Sequence, residues 1–467
     1  MNRNRYRLIF DKRTGTLIPV AEFTTASNLS TGTLVLGVQW GKVKGWRFKG
    51  EAAKGFRERA TQWMLPGVEG EVLNIRAIDQ AVESLNTAHQ SAQVNIAPAD
   101  ETGWSWLDVN VVPRLPIGGN LGVDNSGTSD EVGDGRFRST VGVAVRGFGA
   151  DTWNLGGTRR HYYDGHVAME ESRNLSVSMP LGYWNAEWRR GDSRYQRTIK
   201  SMFGSYASQG SSSDLSLKVG RTVARSKRGK TDVSLRVQRK DNENFIGTTR
   251  LDVNSKVYTD LVLGASRVDQ LLGGSLYADV NWSRGTRWLG ANDVVMDRVS
   301  GNTPALYYKF SGNVSWNRAF PVGARRLDLA MRGGWQYSPR DLLSANKLTI
   351  GDEFTVRGFK NNAVYGDKGV YLSNTVTMTM FGGVSAFVGA DVGMVTDNGP
   401  VVTTTGFGNS ARTVVTPSRD VVISGWAAGL RGNWRNASIG LTYAQPIKTP
   451  TPLAKDEVLY ATASVRF

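Results

Sequence analysis

From about Pro116 to the last residue one device repeats, with apolar side chains at every second position and polar ones between. Leu215, Leu217 and Val219 alternate with Ser216 and Lys218, and Val233, Leu235 and Val237 with Ser234, Arg236 and Gln238. Leu276, Ala278, Val280 and Trp282 share one parity against Tyr277, Asp279, Asn281 and Ser283. Phe310, Gly312, Val314 and Trp316 do the same against Lys309, Ser311, Asn313 and Ser315, as do Leu327, Leu329, Met331 and Trp335 against Asp328, Arg332 and Gln336. A two-residue period sends successive side chains to opposite faces of a strand. The runs reach the roughly nine to eleven residues that a tilted strand needs to cross a bilayer, whereas strands of a soluble sandwich average about five or six. Aromatics gather near the run ends, at Tyr183, Trp184, Trp282, Trp316, Trp335 and Tyr337, where a boundary between lipid and water anchors them. At about 22 residues per strand and connection, the roughly 350 residues after Pro116 make about 16 strands, within a range of about fourteen to eighteen. The polar parity carries Glu187, Arg189, Lys218, Arg236, Asp279, Lys309, Asp328 and Arg332. Charges are costly toward lipid and cheap toward water, so that face lines a hydrated lumen. The expected fold is an all-β membrane protein, an antiparallel transmembrane β-barrel of about 16 strands with one N-terminal α+β module.

The stretch from about Gly32 to Arg114 mixes periods. Leu34, Leu36, Val38 and Trp40 alternate, Val43 to Phe48 is extended, and Ala92 to Ile96 and Trp104 to Val112 return to strand character around a polar turn at Asp100 to Gly103. Between them the spacing predicts a helix over Ala53 to Met64 and a second one capped by Asn74. In the second, Ile75, Ile78, Val82 and Leu85 face inward, leaving Arg76, Asp79, Gln80 and Glu83 to water. About 80 residues with helices on one face of a short sheet make a small α+β module. Before it, Met1 to about Ala26 is basic and only briefly apolar at Leu17, Ile18, Pro19 and Val20. That run is shorter than the roughly 7–15 residues of a secretory apolar region, so export has no obvious address. The expected division is 1–27, a signal-like segment; 28–113, the module; and 114–467, the barrel.

Composition narrows the function. Apolar residues make up 40% of the chain and mean hydropathy is −0.32. No run approaches the roughly 18 uncharged apolar residues of a spanning helix, which argues against a helical membrane protein but not against a barrel, where only alternate residues meet lipid. Gly at 54, Trp at 14 and Pro at only 14 suit many strands joined by turns and belted by aromatics. The formal charge of +16 fits a nucleic-acid binder, an anion-attracting pore or affinity for acidic headgroups. The basic residues are spread along the strands without a nucleic-acid signature, so no nucleic-acid partner is expected. With no Cys, disulfides, thiol catalysis and Cys-bound zinc are excluded. His89, His161 and His166 are read as exposed loop histidines rather than as a metal site. No Ser/His/Asp set, metal cluster or phosphate loop converges, and adjacent carboxylates such as Glu170 and Glu171 do not share a strand face. Neither catalysis nor a cofactor or metal is expected.

The chain keeps its parity to a final aromatic, with Ala461, Ala463, Val465 and Phe467 against Tyr460, Thr462, Ser464 and Arg466. This resembles the C-terminal signal by which outer-membrane barrels are recognised for assembly. Upstream, the run Gly351-Asp352-Glu353-Phe354-Thr355-Val356-Arg357-Gly358-Phe359 is followed by Tyr365-Gly366-Asp367-Lys368-Gly369-Val370-Tyr371-Leu372-Ser373-Asn374, and then by Phe387, Asp391 and Gly393 as a Phe and an Asp-x-Gly. Leu73-Asn74-Ile75-Arg76 with Gln80, Leu85 and Asn86 lies in the module, and Asp124-Asn125-Ser126-Gly127 at the start of the barrel. On these residues the chain, from about residue 28 to its end, resembles the outer-membrane transporters of two-partner secretion, the haemolysin-activation and filamentous-haemagglutinin transporter family. That family belongs to the superfamily that also holds the general outer-membrane protein insertase.

The resemblance implies that the loop motif Val356, Arg357, Gly358 and Phe359 folds back into the barrel. There Arg357 would pair with Asp391 on the wall that also carries Phe387 and Gly393; a planar guanidinium can grip a carboxylate through two parallel hydrogen bonds. It implies that the module is a POTRA domain whose Asn74, Arg76, Gln80 and Asn86 bind the N-terminal secretion domain of a large exoprotein, by strand addition to a sheet edge or along a helix groove. Phe467 and Val465 would address the barrel assembly machinery. The barrel would lie among the lipids of a bacterial outer membrane, with the POTRA domain in the periplasm. The implied function is translocation of a haemolysin-, haemagglutinin- or contact-dependent-inhibition-like exoprotein without nucleotide hydrolysis, the alternative being an insertase or a passive pore. Family members carry a cleavable signal, a plug helix, a linker and two POTRA modules, where one module fits before this barrel. The opening from Met1-Asn2-Arg3-Asn4-Arg5 to Ala21-Glu22 resembles instead the extended signal-peptide region of the secreted partners, without its apolar continuation. The expectation is a truncated or fused reading frame, with either poor export or a lack of regulated plugging.

Overall fold

The computed structural model describes residues 6–11, 16–21, 40–125, 135–162, 169–201, 204–252, 255–292, 303, 305–323, 325–360, 363–399, 401–405, 412–416, 418, 420–450, 453 and 457–467. The expected strand through Leu34, Leu36 and Val38 lies outside them, as do Ser126, Gly127 and His166. Near the start, β1 (Tyr6–Asp11) and β2 (Thr16–Ala21) form an antiparallel hairpin.

The module is built from β3 (Lys42–Phe48), α1 (Phe56–Met64), α2 (Ile75–Leu85), β4 (Gln90–Pro98) and β5 (Trp104–Pro113). β5 is the central strand, parallel to β3 and antiparallel to β4. Val43, Trp46, Phe48, Leu107 and Val109 from the sheet meet Met64, Leu73, Ala77, Ala81 and Leu85 under the helices. α1 begins later than its periodicity suggests because the Glu58 carboxylate accepts from the N–H groups of Lys54 and Gly55, closing the helix end there. α2 is bracketed by two asparagines. Asn74 accepts from the Arg76 N–H at 2.8 Å, and the Asn86 amide donates to the Val82 carbonyl at 2.8 Å.

Sixteen antiparallel strands close the barrel. They are β6 (Ile117–Asp124), β7 (Gly135–Arg146), β8 (Thr152–Tyr162), β9 (Met169–Leu181), β10 (Trp184–Ser201), β11 (Gly204–Arg225) and β12 (Gly229–Ile246). After the two-residue β13 (Thr249–Arg250) they continue as β14 (Val257–Leu271), β15 (Gly274–Thr286), β16 (Tyr308–Val322) and β17 (Arg325–Tyr337). A loop containing β18 (Leu348–Ile350) and β19 (Val364–Gly366) leads to β20 (Lys368–Phe381) and β21 (Val384–Thr396). A hairpin of β22 (Val401–Thr405) and β23 (Arg412–Thr416) precedes β24 (Val421–Trp434), β25 (Ala437–Lys448) and β26 (Val458–Arg466). β26 returns to β6, pairing Thr462 with Asp124 and Arg466 with Asn120. Phe467 and Gly119 extend that seam by exchanging both backbone hydrogen bonds. Among the described residues no helix is long and apolar enough to cross a membrane.

The register shows where each parity points. Leu217, Leu235, Leu263 and Val314 are exposed and lie on the outer row, whereas Glu187, Lys218 and Arg236 align across β10, β11 and β12 on the inner one. Glu170 faces inward to Arg160, whose Nε donates to it at 2.9 Å, and Glu171 pairs with the outward Arg159. Two histidines differ from expectation. His89 is buried, with Nδ1 3.0 Å from the Leu115 carbonyl, because the chain leaving the module turns over it. His161 lies within β8, stacked on Phe137 and hydrogen-bonded to Ser139.

Gln80 and Glu83 also differ from expectation: Gln80 is buried against the barrel, and Glu83, still half-exposed, pairs with barrel cations. The Met64 carbonyl accepts from the Gly182 N–H at 2.8 Å, and Gln80 Nε2 donates to the Gly182 carbonyl at 3.1 Å. Arg225 donates to Gln80 Oε1 at 2.7 Å and to Glu83, and Lys230 reaches Glu83 at 2.6 Å. Ala150, Met179 and Leu181 complete the module core from the barrel side. Burial opposes ionisation of Glu83, yet Lys230 and Arg225 together hold its carboxyl below its ordinary 4.5. The dock is therefore at full strength above that pH and weakens as pH falls through the lowered value. Hydrogen exchange at the Gly182 amide, corrected for intrinsic chemistry, is expected to quicken a few-fold under that acidification. Glu83→Gln should make it fast at every pH, a modest change because half-exposed pairs are worth about 1 kcal/mol or less.

Candidate functional site

The connection from β17 to β20 enters the lumen and fastens to the inner wall. Asp352 shapes its turn: the carboxylate accepts from the N–H groups of Phe354 and Thr355, at 2.9 and 2.8 Å, and from the Thr355 hydroxyl. Thr355 Oγ1 in turn accepts from the Gly351 N–H. Val356 then inserts among Ile350, Phe359, Val395 and Ile423, fully buried. The Tyr460 hydroxyl donates to the Phe359 carbonyl.

Arg357 reaches Asp391 on the inward row of β21 between these anchors. Its Nε donates to Oδ2 at 2.6 Å, its Nη2 to Oδ1 at 2.7 Å, and its backbone N–H to Oδ2 at 3.0 Å. The Ser373 hydroxyl adds a bond to Oδ1 at 2.7 Å, and Nη2 also donates to the Asn374 carbonyl at 2.9 Å. Both residues are buried, at 5% and 4% exposure. A buried pair survives desolvation only with such geometry, and losing one partner costs about 3–5 kcal/mol because the other charge is stranded.

Missing side chains make room for the clamp. A Cβ on Gly425 would stand 1.9 Å from the Arg357 carbonyl oxygen, and one on Gly389 2.2 Å from Nη2. Gly358 lies at φ +99, with backbone of Gln445 and Pro446 where a Cβ would point. Gly393 leaves space for Ile350 and Val356. Phe387 sits on the same wall under the Arg431 guanidinium, 4.3 Å from ring centre to Cζ. Farther along the loop, Glu353 comes among Asp124, Arg138 and Arg160 of β6 to β8; burial first, then Asp124, pushes its carboxyl upward. At the loop root the buried Asp367 accepts from the N–H groups of Leu342 and Asn398, at 2.8 and 2.9 Å.

The structure thus brings Val356, Arg357, Gly358, Phe359, Asp391 and Gly393 into one constellation. Sequence reasoning missed Ser373, Gly389, Gly425, Tyr460 and Asp352. Inward glycines four residues apart, Gly389 and Gly393 on β21 and Gly425 and Gly429 on β24, were the available signal, since a strand glycine marks close backbone approach. The POTRA-type residues are not gathered into a free patch: Asn74 and Asn86 cap α2, Arg76 contacts Asp79, and Gln80 is consumed by the barrel dock. Val465 faces outward, and Phe467 lies over Gly119 at the seam. A groove of about 1090 Å³ runs over outward Leu121, Val141, Leu155, Leu175 and Ile439, and so belongs to the lipid face.

Among the described residues the two edges of the module sheet differ. On the outer side of β3, Val43 is covered by backbone bonds from Gly70 to Val43 and from Val43 to Glu71. On β4, the Ala99 N–H donates to the Trp104 carbonyl, so odd-numbered residues pair with β5 and even-numbered ones face away. Asn86 covers Ala92 on that side, leaving the backbone groups of Val94 and Ile96 without a partner among the described residues.

Residues 103–432 match the family described as haemolysin secretion/activation protein ShlB/FhaC/HecB, residues 42–98 match the POTRA domain, and residues 1–41 match the extended signal peptide of type V secretion system. The outer membrane transporter CdiB of Escherichia coli O6:K15:H31 (strain 536 / UPEC) is 30% identical over 77% of this chain and 60% of its own length. Its counterpart from Dickeya dadantii (strain 3937) is 29% identical over 75% and 61%. The chain therefore spans about three fifths of these curated relatives. Among solved structures, CdiB from Escherichia coli superposes with a TM-score of 0.81 at 26% identity, over 95% of this chain and 80% of that one.

Gly425→Ala, which leaves both clamp residues in place, is expected to push the Arg357 backbone away from the wall and loosen its grip on Asp391, because the added methyl would overlap the Arg357 carbonyl oxygen, a backbone atom that cannot swing aside. Trypsin added to the folded protein should then release a fragment beginning at Gly358, a cut absent from the unsubstituted chain.

Proposed function

The chain belongs to the haemolysin secretion/activation protein ShlB/FhaC/HecB family, and on that premise we propose that it is the outer-membrane pore of a two-partner secretion system. In this reading it passes a large exoprotein from the periplasm to the cell surface. The observation that carries the reading is the Arg357–Asp391 clamp, which fixes a loop inside a closed, water-lined barrel. The barrel sits in the bacterial outer membrane, built there by the barrel assembly machinery, and the POTRA module stands in the periplasm beside the rim where the chain enters and leaves the barrel.

Capture falls to the module. The N-terminal secretion domain of the exoprotein adds a strand along β4 at Val94 and Ile96, main-chain bonds giving affinity and neighbouring side chains specificity. The captured chain then threads the lumen in extended form, past alternating charges that keep it hydrated. No nucleotide takes part, and folding of the exoprotein outside makes passage directional. The chain acts as a transporter, not as a catalyst.

Arg357→Ala is expected to lower exoprotein in the medium at least about tenfold, since a loop losing about 3–5 kcal/mol of anchorage no longer holds one position. Heat-modifiable electrophoretic mobility, which reports barrel closure, should stay unchanged; normal secretion would contradict the clamp's role. Val94→Pro removes one outward N–H without touching the β4–β5 ladder. It should weaken binding of the secretion domain about five- to tenfold in Kd, the worth of roughly one hydrogen bond.

A further inference from the structure

The outer face of α1 has no cover among the described residues. Phe56 and Trp63, 71% and 69% exposed, stand seven positions apart and share one helical face, with the exposed Arg59 between them. Thr61 and Met64 hold the opposite face in the module core. Two exposed aromatics on a nine-residue helix are an unfavourable surface to leave in water.

That face continues the lipid-facing belt of the barrel. The Phe56 ring meets Phe148, itself exposed in the turn between β7 and β8, edge-on at 6.0 Å. Trp63 shares a recess of about 320 Å³ with Leu181, Trp184 and Arg221. The register puts those three on the outward row of β9, β10 and β11, and the Arg221 guanidinium lies over the Trp184 ring at 5.0 Å. Trp184 stands at the module-side end of its strand, where the lipid belt ends. Aromatic rings at headgroup depth with a guanidinium to meet phosphate are the chemistry of a helix lying in a membrane surface.

We propose that α1 is a membrane-surface helix whose Phe56–Arg59–Trp63 face rests in the acidic phospholipid headgroups of the periplasmic leaflet. The POTRA module is thereby held at two places, by its dock on the barrel turns and by lipid. The tilt of its open β4 edge follows from both.

Because the chain has no cysteine, one reporter can be placed cleanly. Full-length protein carrying Gln62→Cys, labelled with a nitroxide, is compared in vesicles of phosphatidylethanolamine and phosphatidylglycerol and in lipid-free amphipol; Gln93→Cys, exposed on β4, is the water-facing control. Collisions with a water-soluble relaxant at position 62 should fall several-fold in vesicles relative to amphipol, and collisions with oxygen should rise, while position 93 stays unchanged. Adding Phe56→Ser and Trp63→Ser, both outside the core, should restore the water-facing signal, and omitting phosphatidylglycerol should weaken the protection. Equal accessibility at position 62 in vesicles and amphipol overturns the proposal. So does protection that grows with protein rather than lipid concentration, which would mark a second copy of the chain on this face.

Discussion

Inside a bilayer a strand can send its backbone N–H and C=O groups only to neighbouring strands. That constraint turns the alternating sequence after Pro116 into one closed wall, and the last residue takes part in meeting it. Phe467 and Gly119 exchange both backbone bonds, and Asn125 donates to the Leu459 carbonyl and accepts from the Ala461 N–H. The seam between the first and last strands is thus secured at both ends although its register is short. Closure also separates lipid from lumen, and every charged residue of the inner row depends on that separation.

A wet lumen permits a loop to be held there by charge. Arg357 and Asp391 are themselves nearly dry, so their pairing relies on the surrounding donors and acceptors as well as on attraction. Ser373 and the Asn374 carbonyl satisfy the remaining valences, and apolar packing of Val356 and Phe359 on either side limits the motions open to the guanidinium. Glycines on β21 and β24 let the loop backbone lie directly against the wall. Charge, shape and empty space act together, since Gly425 and Asp391 both lie against the same Arg357 segment of the loop.

The module is coupled to the barrel rather than tethered to it. Gln80 and Glu83, which a helical wheel assigns to solvent, meet the barrel beside the turns that follow β9 and β11, and Met64 packs in one core with Ala150 of the barrel and accepts from the Gly182 N–H. Polar residues on a helix face report only that the face is not part of that helix's own domain core; they do not distinguish water from the polar rim of a second domain. The same ambiguity covered His89, polar by type and buried by the chain that folds over it.

Periodicity alone disclosed the barrel, its approximate strand number, the inward placement of Glu187, Lys218, Arg236 and their neighbours, and the mixed α+β character of the module. These properties are local: a two-residue or 3.6-residue rhythm is a statement about adjacent positions, and a bilayer or a core reads it directly. The loop motif and its Asp were legible only as a resemblance, since nothing local joins residues separated by a whole strand. Tertiary structure decided the rest: which glycines clear space for Arg357, that Tyr460 and Ser373 complete its anchorage, that Gln80 faces the barrel, and that Val94 and Ile96 of β4 lie on the uncovered side of the described sheet. Each depends on distances between segments far apart in sequence, which are set by closure of the sheet and carry no trace in the order of neighbouring residues.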